Sequence, residues 1–258
     1  MKVDTMRWID YYIGVPLCLL GSICQQMIKL VYKPKINSPH NVLFIELSEM
    51  GSAILVDPAM RKLQRQIGAN IHFVIFKKNK PSLDLLKTVS GDNIYTIREN
   101  SMPLFFLDTL KFFFWTRRKK IDVIIDLELF SRFTALLTGF SGVPCKVGFH
   151  AYYNEGLYRG SFLTHKVAYN PHIHIAKNFI ALVNALLANK KEVPYSKTKI
   201  TDDEITLAKI SFANMEKQTI IDIVANCFSE YSRETHKIIL INPNASELLI
   251  QRRWPPLH

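Results

Sequence analysis

The chain has 258 residues, 48% of them hydrophobic and 21% charged, and a formal net charge of +11. That length supports a sizeable core in one large or two small domains, the balance is that of a globular protein without repeats or low-complexity tracts, and the basic excess points to nucleic acid, an acidic membrane surface or a phosphorylated substrate. Four cysteines, at positions 18, 24, 145 and 227, lack C-x-x-C spacing, which argues against a zinc site or a disulfide framework and for a reducing compartment.

From Tyr11 to Ile28 no residue is charged, a length near the minimum for a membrane span. Gly14, Pro16, Gly21, Ser22 and the pair Gln25-Gln26 count against spanning, and no small-x-small site follows to mark a cleaved signal. Trp8, Tyr11 and Tyr12 at one end and Lys29, Lys33 and Lys35 at the other suit an interfacial helix on an anionic leaflet. A helix packed on its own domain is the alternative.

After Pro39 strands and helices alternate. Val42–Leu47 reads as a buried strand, Ser48-Glu49-Met50-Gly51-Ser52 as a turn, and Ile54, Leu55, Pro58, Ala59 and Leu63 as one helix running to Gln66. Gly51 suits a close turn, Ser52 a helix N-cap, and Gly68 a helix stop. Further strands are expected at Ile71–Phe76, Asn93–Ile97, Ile121–Leu127 and Lys146–Phe149, with helices at Pro81–Leu86, Pro103–Trp115, Ser131–Phe140 and Ile173–Ala188. Pro103–Trp115 carries five phenylalanines and a tryptophan ahead of Arg117, Arg118, Lys119 and Lys120, so it is either a capped helix with solvated cations or a second membrane-facing patch. His150–Asn170 is a long polar and aromatic loop. His165, His172 and His174 are too irregularly spaced for a metal site. Beyond Lys190 come a polar linker, a helix from Asp202 to Met215 and a strand Lys237–Ile241. The pattern is α/β, a doubly wound parallel sheet in which ligands lie at the carboxyl ends of strands.

The turn Ser48-Glu49-Met50-Gly51 with Pro58 resembles the opening of glycosyltransferase family 9, the heptosyltransferase family of lipopolysaccharide core assembly. Asp126-Leu127-Glu128, Arg132, Gly148-Phe149, Thr164-His165-Lys166-Val167, Tyr169 and His174 follow in the family's order. Asn242-Pro243-Asn244-Ala245-Ser246, then Arg252 and Trp254-Pro255, resemble the opening of its second domain. Ser52 stands where the family carries its proposed catalytic Asp, Glu128 where it carries Gln, and Asn244 where it carries Gly.

The resemblance implies a Rossmann-like, GT-B type N-terminal domain with the second domain truncated. The segments would be a membrane-associating helix (1–36), an acceptor-side domain (37–190), a linker with a helix (191–235) and the start of a nucleotide-sugar domain (236–258). It implies metal-independent transfer of a heptose-like sugar from a nucleotide-sugar to a lipopolysaccharide-core or related glycolipid, by a protein attached to the inner face of the cytoplasmic membrane. Catalysis would fall to Glu49, as substitute base, beside Ser52; Glu49 as a solvated turn residue is the alternative. Donor contacts would come from Asn242, Asn244, Ser246 and Arg252, and acceptor contacts from Ser48, Gly51, Arg132, Lys146 and Arg159. A catalytically inactive membrane-associated binding module is the other function class. No helix-turn-helix, RNA-recognition or zinc pattern supports nucleic-acid binding, and the absence of Gly-x-Gly-x-x-Gly counts against an NAD-type enzyme.

Overall fold

The computed structural model describes residues 3–31, 39–150, 157–197, 199–210, 214–232, 234–239 and 241. It divides into two units, Met1–Ala208 and Lys209–His258. The first runs α1 (Val3–Tyr12), α2 (Gly14–Val31), β1 (Asn41–Ile45), α3 (Met50–Leu55), α4 (Asp57–Ile67), β2 (Asn70–Phe76), α5 (Pro81–Leu86), β3 (Ile94–Ile97), α6 (Met102–Arg118), β4 (Val123–Asp126), α7 (Arg132–Phe140), β5 (Cys145–Phe149), β6 (His165–Val167) and α8 (Ile175–Leu187). The second contains α9 (Asn214–Cys227).

The six strands among the described residues are all parallel, in the order β3-β2-β1-β4-β5-β6. Successive strand residues point to opposite faces, and here both faces are covered, so the strands read as unbroken apolar runs. Val42 and Phe44 of β1 face a core shared with α3, α4, α5 and α8. Leu43 and Ile45 face a second core closed by α6 and α7. Phe44 stacks on its register partner Phe73 at 6.4 Å between centroids.

The doubly wound sheet is therefore as the sequence implies, and its differences have local causes. The helix expected to reach Gln66 is two: α3 ends at Leu55, and Pro58 in the first turn of α4 restarts the chain after Val56. Gly68 does cap α4 in the left-handed region, φ 63°. Within the expected loop, His165–Val167 pairs with β5 as a sixth strand. Asp203–Ile205 makes only a single 3-10 turn where a helix to Met215 is expected, and the helix lies instead at α9. Lys237–Ile239 has no strand partner among the described residues, and Ile239 is 82% exposed.

At the N-terminus α2, which continues α1 after the turn residue Ile13, packs along α7. Ser22 Oγ donates to the Cys18 carbonyl at 2.6 Å and accepts from the Ser161 N–H at 2.8 Å, and Gln25 Nε2 donates to the Gly139 carbonyl at 2.6 Å. Small residues make the approach possible: a Cβ on Gly139 would lie 2.7 Å from the buried Phe162 ring. Gly160, at φ +73°, would bring a Cβ within 2.5 Å of Ser22 Oγ. Gly139→Ala is thus expected to lose about 1–3 kcal/mol through overpacking, less the roughly 1 kcal/mol that Ala gains in a helix. The urea midpoint reads this directly, and an unchanged midpoint would mean that the seam has slack.

Beneath α6, His72 is 1% exposed, its Nδ1 has no hydrogen-bond partner, and its Nε2 lies 3.1 Å from Asn70 Nδ2. Burial, aided by the Lys119 ammonium, holds its pKa down at about 4 against an ordinary 6.5. The unfolded chain therefore binds the proton first, and His72's contribution to stability, complete above pH 6.5, declines as pH falls to about 4. The loss is on the order of 3 kcal/mol. Thermal midpoints across that window should fall with acid in the wild type, and the slope should flatten in His72→Gln.

Candidate active site at the β1–β4 switch point

β1 and β4 are neighbours from which the chain departs in opposite directions, toward β2 and toward β5. Loops leaving their carboxyl ends diverge there, at the switch point where doubly wound sheets as a class form their ligand crevice. Residues 46–52 leave β1 and residues 127–131 leave β4, so the two segments form its walls.

The floor is built from carboxyl groups that hold backbone. Glu46, 3% exposed, accepts from the Ser48 and Glu49 N–H groups at 3.3 and 3.2 Å. Glu128 Oε1 accepts from the Leu47 N–H at 3.2 Å and from Ser48 Oγ at 3.0 Å. Burial, then the Glu128 charge and its hydrogen bond, push Glu46 well above the usual carboxylate range. The protonated Glu46 acid is thereby favoured beside a second carboxyl, an arrangement that keeps two like charges from facing each other in a dry site. On the other side, the buried Asn79 donates to the Leu47 and Ser48 carbonyls at 2.9 and 3.0 Å. The turn is fastened on both flanks.

Above that floor Ser48, Glu49, Met50 and Gly51 are exposed. Glu49 is the N-cap residue of α3 but makes no side-chain cap bond; its Oε2 instead accepts from Ser52 Oγ at 2.8 Å. Ser52, expected as the cap, sits inside α3 and orients the neighbouring carboxylate. Gly51 is helical without a positive φ, and a Cβ there would meet nothing within 4 Å, so its missing side chain leaves the helix start open.

The three cations expected at the acceptor have partners within the chain. Arg159 donates to Asp126, to the Glu128 carbonyl, to the Ser131 carbonyl at 2.8 Å and to Thr134 Oγ1 at 2.8 Å. Complete burial pushes Asp126 up, while Arg159 and the Glu128 N–H pull it back toward its charged form. Arg132 pairs with Asp10 at 2.7 Å and donates to the Tyr158 carbonyl at 2.9 Å, which pins α1 to the start of α7. Lys146 is buried in β5, its ammonium 2.9 Å from the Gly139 carbonyl. All three serve the frame. Lys77 and Lys78, which follow β2 and which sequence reasoning passed over, are exposed on this edge, and Lys78 pairs with Glu99 at 3.3 Å. Asn242, Asn244, Ser246 and Arg252 lie outside the described residues.

Glu46 was legible as an acid inside the apolar run Phe44-Ile45-Glu46-Leu47, a pattern that marks either a strand end or a buried ionisable group. Asn79 carried no such signal. Among the described residues no group of three or more His, Cys, Asp or Glu is placed to hold a metal ion. A separate cavity of about 540 Å³, lined in part by Lys62, Asn184, Glu192 and Lys197, lies by the carboxyl ends of α4 and α8, at the opposite end of the sheet.

No family model matches the chain, and no curated protein matches it. Among solved structures it is similar to the glycosyltransferase family 9 protein of Veillonella parvula DSM 2008, with a TM-score of 0.56 at 14% identity, covering 78% of this chain and 52% of that one. It is also similar to ADP-heptose LPS heptosyltransferase II of E. coli, with a TM-score of 0.53 at 20% identity, covering 74% of this chain and 51% of that one. The chain thus spans about half the length of the solved structures it matches. The α/β, Rossmann-like fold implied by the sequence is the fold these glycosyltransferase structures share with it.

Proposed function

We propose that the chain is the acceptor-side part of a glycosyltransferase that moves a heptose-like sugar from a nucleotide-sugar to a lipopolysaccharide-core or related phosphorylated glycolipid. The observation that carries this reading is the exposed Glu49 carboxylate, held by Ser52 at the mouth of the β1–β4 crevice, on a fold shared with a heptosyltransferase. Glycosyl transfer needs a carboxylate to accept the proton of the attacking hydroxyl and donors to neutralise the departing diphosphate. In this reading the acceptor hydroxyl approaches over Gly51, and Glu49 takes its proton as the bond from sugar to diphosphate breaks. Ser48 lines the approach, and Lys77 meets acceptor phosphates as a point charge.

Ser246 and Arg252, with Asn242 and Asn244, remain the proposed donor contacts, Arg252 serving as a fixed cation on the diphosphate without a metal. The serine at position 52 favours a second reading, a binding module that holds glycolipid or nucleotide-sugar without turnover.

A turnover assay on the protein expressed from its complete reading frame, with ADP-, UDP- and GDP-sugars and core-type glycolipids, tests the first reading. Glu49→Gln is expected to lower kcat by about 10²- to 10⁴-fold with KM little changed, because the exposed carboxylate carries no structural load. Full turnover by that variant would exclude Glu49 as the base. Nucleotide-sugar binding by the wild type without product would favour the binding module.

A further inference from the structure

We propose that the outer faces of α1, α2 and α6 form one surface that lies flat on an anionic phospholipid bilayer. The helices α6, α7 and α2 are consecutive neighbours on one side of the sheet. The inward stripe of α2 is Gly14, Cys18, Gly21, Ser22 and Gln25, at helical spacing. Its opposite stripe, Leu20, Ile23 and Met27, is exposed, as are the flanking Leu17 and Ile28 and Trp8, Tyr11 and Tyr12 of α1. On α6, Phe106, Leu110 and Phe114 repeat at four-residue spacing and are 61%, 59% and 74% exposed. Single exposed apolar residues are ordinary, but whole exposed stripes on two helices of the same side of the sheet are not.

Charge selects the occupant. Lys111, Arg117, Arg118 and Lys120 are exposed along and just beyond α6. The one acid in α6, Asp108, is buried and paired with Arg98 at 2.7 Å. No acidic residue occurs in α2, and Asp10 of α1 is paired with Arg132. Apolar side chains rimmed by cations, with aromatic residues at one end, match a headgroup region over acyl chains. A second copy seated on the same face would set these cations against their own images.

The alternative of a span conflicts with the packing of α2. The stretch Trp8–Ile28 is long and apolar enough to cross a bilayer. Its inward face is, however, tied to the domain through Ser22, Gln25 and the Arg132–Asp10 pair, so the helix lies along the protein.

Co-sedimentation with phosphatidylcholine vesicles, with and without phosphatidylglycerol, tests the proposal. The protein should pellet with the anionic vesicles and stay in solution with the neutral ones. Leu20→Glu and Phe114→Glu should each weaken binding about tenfold, since each removes one large apolar contact. Leu85→Glu, on α5 across the sheet, should bind as the wild type does. Wild-type protein left in solution with anionic vesicles would overturn the proposal, as would full binding by both variants. A dimer dissolved by those variants would assign the face to a second copy. Should a variant fail to fold, a solvatochromic label on the exposed Cys24, in a Cys227→Ser background, gives a separate reading. Its emission should shift to the blue on anionic vesicles, and an unchanged spectrum would contradict the surface.

Discussion

The interaction between Arg159 and Asp126 holds the carboxyl edge of β4 and the segments around it together. Asp126 is the last residue of β4, and Arg159 reaches it from the segment that leads into β6. Burying two charges costs several kcal/mol per ion, which attraction repays only when the remaining hydrogen-bonding positions are filled. Here they are: the same guanidinium serves the Glu128 and Ser131 carbonyls and Thr134, and the same carboxylate accepts from the Glu128 N–H. One residue thus ties the end of a central strand, the wall beyond it and the start of α7 to a distant loop. Glu128, so placed, fixes Ser48, and Gly160, next in chain to Arg159, receives Ser22 of α2.

This arrangement explains a division of labour among the charged groups of a basic protein. Cations that the family resemblance would send to a phosphorylated ligand are instead spent on the frame, where a buried acid or an unpaired carbonyl needs them. The exposed cations stand at the rim, Lys77 on the segment after β2 and Lys111, Arg117, Arg118 and Lys120 on and just beyond α6. The crevice itself is lined by carboxyl groups, one of them favoured in its protonated form, which suits proton transfer better than anion binding.

How far the sequence spoke for itself varied with how local the cause was. The runs Val42–Leu47 and Ile121–Leu127 announced central strands because burial on both faces leaves no polar alternation, and Gly68 announced its cap because few residues adopt its backbone. The three-residue β6 was hidden, since its strand character comes from pairing with β5 rather than from its own residues. The break at Val56 was written in Pro58 but outweighed by the apolar spacing around it. At the site, the turn from Ser48 to Ser52 was legible by position. The pairing of Ser52 with Glu49 spans only three residues, but the Glu46–Glu128 floor and the clasp by Asn79 depend on contacts between segments about 30 to 80 residues apart, which no local pattern carries.

The central claim is that the carboxyl edge of β1 and β4, rather than the cavity beside Lys62 and Asn184, is the ligand crevice. Amide chemical shifts of ¹⁵N-labelled protein, followed while a phosphorylated core-type oligosaccharide is added, test it most directly. The account predicts that the perturbed amides concentrate in residues 46–52 and 126–132 and around Lys77 and Lys78. Perturbations centred on residues 184–197, or none at saturating saccharide, would contradict it.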